Sequence, residues 1–259
     1  MVMDRLRLKA GDSSEAASAT CPFWINRGRL DEAIACFRKA VELNPKLAPV
    51  HNRLGWALAT KGRLEEAIAC YHKAIELGFT GARPSLVQAE RLAKARDRFA
   101  DFQKGRYTPA TAMDGLDLAV WCRTIKRHQT AARLFADAFA ADPKLADDLQ
   151  AAHRYDAACC ASLAAAGKGE DAGKLDEKER TRLRKQALDW LRADLVLRKK
   201  QLESGLPAGR TQVQWALTHW QDDSDLAAIR EPEALAKLSA EDRAACERLW
   251  ADVAALLKN

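Results

Sequence analysis

Apolar residues recur at positions 33, 37, 40 and 41 and again at 67, 71, 74 and 75, with charged residues filling the gaps. This i, i+4, i+7, i+8 spacing places Ala33, Phe37, Ala40 and Val41 on one face of a helix, and Ala67, Tyr71, Ala74 and Ile75 on one face of another. The two stripes are copies. GRLDEAIACFRKAVEL (28–43) and GRLEEAIACYHKAIEL (62–77) agree at twelve of sixteen positions at an offset of 34 residues. Asp31/Glu65, Phe37/Tyr71 and Val41/Ile75 keep charge or shape, and Arg38/His72 is the one real change, expected to face solvent. Small alanines beside a single ring predict helices that cross closely, ridge into groove. Gly28 and Gly62 mark the turns into these helices, and Asn44-Pro45 and Gly78 mark their ends. One such hairpin cannot bury its own stripe, so neighbours must stack.

Counting from Ala33 and Ala67, a third unit opens at Ala131, with Phe135, Ala138 and Pro143 at the offsets of Phe37, Ala40 and Pro45 and a first helix over about 113–125. The interval from Ala67 to Ala131 is 64 residues, thirty more than one repeat, and the excess holds a further helical pattern over 84–103 and a loop over 104–111. A looser unit follows, with helices over 146–166 and 176–202 separated by GKGEDAGKLD. The remaining stretch reads as helices at 211–220, near 226–229 and at 241–257, the last opened by Ser239 as N-cap with Leu238 as a hydrophobic staple. No alternation of β-branched residues marks a strand. The organisation expected is an all-α solenoid of stacked hairpins: 1–23 a poorly ordered, half-built first repeat; 24–79 one and a half repeats; 80–111 an inserted helix and loop; 112–145 a repeat; 146–204 a repeat with a long internal loop; and 205–259 a C-terminal helical cap.

The balance of 48% hydrophobic and 30% charged residues over 259 positions is that of a globular chain. No apolar run nears the roughly 18 residues that span a bilayer. The first twenty residues lack a leader's apolar core, so the expectation is a cytoplasmic protein without membrane contact. Seven cysteines without a C-x-x-C pair agree, and Cys36 and Cys70, at equivalent repeat positions, are expected to be small buried core residues. The net charge of +6 and pI of about 9.0 come from basic residues interleaved with acidic ones, a pattern that favours a solvated helical exterior over a nucleic-acid footprint.

The 34-residue period, Leu54-Gly55 in one helix and Ala67, Tyr71 and Ala74 in the next resemble the tetratricopeptide (TPR) repeat family. The later text, ARLFADAFAADPKLADDLQAAHRYDAACCASLAAAG, LDEKERTRLRKQALDWLRADL and the closing LWADVAALLKN, resembles the repeat-bearing C-terminal portions of planctomycete serine/threonine protein kinases. The kinase signatures themselves, a Gly-rich loop, H-R-D-L-x-x-x-N and D-F-G, do not occur in the chain. The resemblance implies a scaffold whose first helices line a concave peptide groove. By register that groove is lined by Asn52, Trp56, Ala59 and Thr60 in the second unit and by Leu116, Val120 and Arg123 in the third. Trp56 stands where the chaperone-binding members of the family place an asparagine. It has two readings, a groove anchor or a packing residue against the 84–103 helix.

Other chemistry is sparse. Gly167-Lys168-Gly169 and Gly173-Lys174 lack Walker spacing, the Mg²⁺-binding hydroxyl and a preceding strand, so they read as a loop. His153, Asp156 and Cys160 fall at i, i+3, i+7 and could offer three ligands from one helical face, without a fourth. The basic residues between Lys178 and Lys200 are mixed with acidic ones. No catalytic constellation, cofactor or metal site is expected. The reading is a non-enzymatic scaffold for a protein or peptide ligand, with a regulatory repeat region or fragment of a kinase system as first alternative and a weak nucleic-acid-associated protein as second. A second copy of the chain or an upstream domain is the expected cover for the 28–43 stripe.

Overall fold

Helix α1 (Leu30–Leu43), α2 (Ala48–Thr60) and α3 (Leu64–Glu76) form where the duplicated stripe predicts them. The computed structural model describes residues 30–205 and 207–258, and every regular element among these is helical. The expected mobility of 1–23 and the half-built first hairpin lie outside the described residues. α1 and α3 each open with two acidic residues, Asp31 and Glu32 or Glu65 and Glu66, set against the positive end of the helix. Gly78, at φ 91°, ends the last turn of α3, its N–H donating to the Ile75 carbonyl at 2.9 Å.

The described chain falls into two units, residues up to Asp97 and from Arg98 onward. In the first, α1 packs on α2 and α2 on α3 around Ala33, Phe37, Leu54, Leu58, Ala67, Tyr71 and Ala74. Gly55 sits beneath the Tyr71 ring. A Cβ there would lie 2.8 Å from Tyr71 Cε1, closer than carbon atoms can approach, so glycine is what lets the ring cross the helix. Burial pushes the Tyr71 phenol up to about 12. After a 3₁₀ turn (Thr80–Ala82), α4 (Arg83–Gln103) adds Ala89 to the same core, with Leu86 partly buried against it. The cysteine expectation fails here: Cys36 is exposed and Cys70 half-buried. The buried sector of α1 runs from Ala33 through Phe37 to Ile34, and Cys36 sits about 60° outside it at 3.6 residues per turn.

The second unit comprises α5 (Ala112–Thr124), α6 (His128–Ala141), α7 (Lys144–Asp147), α8 (His153–Ala165), α9 (Glu177–Glu203), α10 (Pro207–Asp222), a 3₁₀ helix (Ser224–Ile229), α11 (Pro232–Leu235) and α12 (Ala240–Leu257). α5 packs on α6, α6 on α8, α8 on α9 and on the 3₁₀ helix, and α9 on α10 and α12. A capping box opens α5, the Thr111 hydroxyl accepting from Asp114 N and the Asp114 carboxylate from Thr111 N. Ser239 caps α12 as its sequence requires. The single helix expected over 146–166 is interrupted: the Asp148 carboxylate accepts from Gln150 N at 2.9 Å and Ala151 N at 3.0 Å. That local turn competes with helical bonding and leaves Ala152 at φ 55°.

The loop over 166–176 is a built connector. Arg180 ties both of its ends, donating to the carbonyls of Ala165 and Leu175, and Glu170 N donates to Lys126 O. Asp171 then reaches the start of α6, accepting from Gln129 N at 3.1 Å, Thr130 N at 2.9 Å and Thr130 Oγ1 at 2.6 Å. A carboxylate forty-one residues downstream thereby satisfies two amides at that helix N-terminus. Helix α9 spends most of its arginines internally. Arg184 pairs with Asp242 and Glu177, Arg198 with the buried Asp194 while lying over the Trp220 ring, and Arg192 donates to Ala245 O.

Two substitutions test this packing. Gly55→Ala should destabilise the first unit by about 1–3 kcal/mol, as overpacking does, read as a lower urea midpoint with an unchanged m-value. Asp171→Ala should cost about 1–2 kcal/mol, the range for a lost N-terminal cap, and should raise amide exchange at Gln129 and Thr130 before it does so elsewhere in α6.

Candidate functional site

The residues that register placed on a groove divide sharply. On α2, Asn52 and Trp56 lie one turn apart on one face, Trp56 being 41% exposed. The Asn52 carbonyl oxygen Oδ1 is shielded from water and, among the described residues, accepts no hydrogen bond. Ala59 is half-buried, and exposed Thr60 donates its hydroxyl to Trp56 O at 2.9 Å. On α5 the outcome differs. Leu116 and Val120, at 1% and 8% exposure, are buried and offer no side chain to a ligand, because residues 115–120 are buried on every side of the helix. Arg123, one turn beyond, has 38% of its side chain exposed.

Arg123 leads to a cluster that the sequence did not single out. Its guanidinium stands 3.4 Å from the Asp156 carboxylate, whose charge holds it more firmly protonated. Tyr155, the residue before Asp156, is buried with its ring stacked on Trp220 at 5.6 Å and its hydroxyl donating to Asp223 Oδ2. Along α10, Trp215 is stacked on His219 at 5.7 Å, and His219 Nε2 lies 3.5 Å from the same Asp223 oxygen. Asp223 Oδ1 accepts from Asp225 N at 2.9 Å, capping the 3₁₀ helix. Ser162 Oγ, on α8, donates to Asp225 O at 2.9 Å. Arg230 closes the back of this turn, donating to the carbonyls of Trp220 and Asp223.

The electrostatics of the cluster are negative. Burial pushes the Asp225 carboxyl above its ordinary range, with Asp223 adding to the shift and Arg123 opposing it. Burial likewise drives the Cys159 thiol far up, and Asp223, Asp225 and Asp156 reinforce it. Cys159 Sγ lies 4.0 Å from Asp223 Oδ2, and the ligand atoms of Cys159, Asp223 and Asp225 all fall within 4.8 Å of one another. This is the set that could hold a metal. It is not the set read from helical spacing. Of His153, Asp156 and Cys160, Asp156 faces Arg123 and Cys160 is fully buried, while the carboxylates that meet Cys159 come from a turn more than sixty residues onward. The one local signal was D-x-D after a helix end at 223–225, which in isolation also reads as an ordinary cap.

Comparison with known proteins bears on the first unit. A family model described as TPR repeat matches residues 25–62, and one described as tetratricopeptide repeat matches residues 48–77. No curated protein matches the chain in sequence. A solved structure, "MamA RS-1 ArsTM double mutant", is similar at 15% identity with a TM-score of 0.32, over 71% of this chain and 98% of that one. No helix among the described residues is long and apolar enough to cross a membrane. The matched residues are those in which a copied stripe folds as α1 to α3 with Tyr71 seated over Gly55, and on that footing the chain carries tetratricopeptide repeats across residues 25–77.

Proposed function

We propose that this chain is a non-enzymatic scaffold that holds an extended peptide or protein segment against the face of α2 formed by Asn52, Trp56, Ala59 and Thr60. The observation that carries the reading is the pairing of Asn52 with Trp56. An amide oxygen without a donor among the described residues is an unmet bond, which the backbone N–H of an extended ligand would complete once the Asn52 side chain turns outward. One turn along, an exposed tryptophan offers a rigid apolar surface with little rotamer entropy to lose. Tetratricopeptide repeats are a family of interaction scaffolds, which supports the same conclusion.

The resemblance of the later text to kinase repeat regions makes a serine/threonine kinase domain, separate or upstream, one class of partner, with the chain as its regulatory repeat region. The basic helix α9 supports a nucleic-acid role poorly. Its arginines at 180, 182, 184, 192 and 198 are engaged by carbonyls or carboxylates, which leaves Lys178, Lys185, Lys199 and Lys200 exposed.

Selection of a displayed random-peptide library on the purified chain supplies the probe. Trp56→Ala should weaken binding of the selected peptides by about 2 kcal/mol, roughly thirtyfold, with the thermal midpoint unchanged. Asn52→Leu should weaken it less. A lower midpoint with peptide binding intact would assign Trp56 to packing, and a library that enriches nothing would remove the scaffold reading.

A further inference from the structure

The cluster around Asp223 carries more negative charge than its internal bonds consume. Asp223 is held by one bond to each oxygen, capping the 3₁₀ helix through Asp225 N and accepting the Tyr155 hydroxyl, and each oxygen keeps a lone pair. Asp156 is matched by Arg123 at 3.4 Å. Asp225 is not matched. Among the described residues its carboxylate has no hydrogen bond and no ion pair, and only Arg123 and Lys168 attract it from longer range. Beside it lies Cys159, 3% exposed, whose thiol is 4.0 Å from an Asp223 oxygen and within reach of the Tyr155 hydroxyl. A buried sulfur on α8 meets two half-buried carboxylates from one turn, with one carboxylate left over, an arrangement that differs from the solvated acidic patches common on protein surfaces.

We propose that Cys159, Asp223 and Asp225 form a binding site for one divalent transition-metal ion of the zinc class. The three ligand atoms lie within 4.8 Å of one another. Tetrahedral zinc, with bonds of about 2.3 Å to sulfur and about 2.0 Å to oxygen, needs ligand separations of roughly 3.3–3.8 Å, a change within reach of side-chain torsions. The mixture of one thiolate and two carboxylates suits a borderline-soft ion better than magnesium or calcium, which take oxygen alone. The surroundings fix the ligands. Tyr155, itself held by stacking on Trp220, orients Asp223, and Ser162 anchors the backbone at Asp225. His219, with Nε2 3.5 Å from Asp223 Oδ2, provides a further nitrogen donor beside a coordination position otherwise open to water. Binding expels the Cys159 thiol proton to solvent, forms one metal–sulfur and two metal–oxygen bonds, and transfers no electrons. The ion's two positive charges offset the unmatched Asp225 and the new thiolate.

Cobalt(II) titration of the reduced, full-length chain reads the site directly, because thiolate ligation gives a near-ultraviolet charge-transfer band that zinc(II) abolishes on displacement. The expected result is one cobalt per chain with that band. Cys159→Ser should remove it, and Cys160→Ser and Cys36→Ser should leave it intact. Tyr155→Phe, which removes only the hydroxyl that orients Asp223, should weaken cobalt binding by about tenfold to a hundredfold. Should the buried Cys159→Ser variant fail to fold, Asp225→Asn decides the matter. Zinc(II) should raise the melting temperature of the parent chain and not of Asp225→Asn. Absence of the thiolate band, its survival in Cys159→Ser, or equal stabilisation of Asp225→Asn by zinc would each overturn the assignment.

Discussion

Helices can be stacked tightly only where their facing surfaces are nearly bare, and the hairpins among the described residues obey that constraint. At the crossings stand Ala57, Ala67, Ala74, Ala119, Ala131, Ala157, Ala161 and Ala187, each fully buried, and Gly55, which has no side chain at all. Bare crossings bring backbones together but leave grooves on either side. Phe37, Tyr71 and Phe135 fill them, Phe135 with the Phe139 ring beside it at 5.8 Å. The arrangement leaves little tolerance, because a ring seated on a glycine cannot be accommodated by a neighbour that gains even one carbon. It also dictates length, since a hairpin so thin exposes apolar surface on both flanks and is stable only beside another.

A thin apolar core makes charged residues do structural duty in the second unit. Arg184 and Arg198 are buried with carboxylate partners, and Asp171 supplies the N-terminal charge that α6 lacks in its own first turn. Removing one member of such a pair strands a buried charge, which is why these bonds fix register between elements far apart in sequence even where their net contribution is small. Burial pushes the Asp194 carboxyl up although Arg198 opposes it, a sign that desolvation outweighs the pairing even in the better-matched case. Burial pushes the Asp225 carboxyl up as well, with only the longer-range attraction of Arg123 and Lys168 against it.

What the sequence disclosed follows from this division. Elements written by local periodicity were legible: the stripes of α1 and α3, the offset of α6, the inserted α4 and the Ser239 cap all depend on residues within one or two turns of each other. Elements written by distant partners were not. Asp171 reads as one polar residue in a glycine-rich loop until α6 is placed beside it. Leu116 and Val120 read as groove residues because register specifies which helix they occupy and not how many neighbours surround it. Cys36 failed for a subtler reason, as the direction in which a stripe widens is decided by the next helix, here toward Ile34. The break at 148–152 was in principle local, but Asp148 competes with helical bonding only through its side chain, and apolar spacing is blind to that.

The candidate sites sit where the repeat pattern is violated. Trp56 occupies a position on a first helix where the ring is 41% exposed, and Asn52 beside it carries an acceptor that no described group satisfies. The Cys159 cluster lies where regular hairpins give way to a short capped turn, so that Asp223 and Asp225 enter a space that a straightforward second helix would have filled with alanine and leucine. A repeat that only had to stack has no need of an exposed tryptophan, or of a half-buried carboxylate without a bonded partner among the described residues. Both are the places to which the proposals above assign function, one as a surface for an extended segment and the other as a cage for a cation.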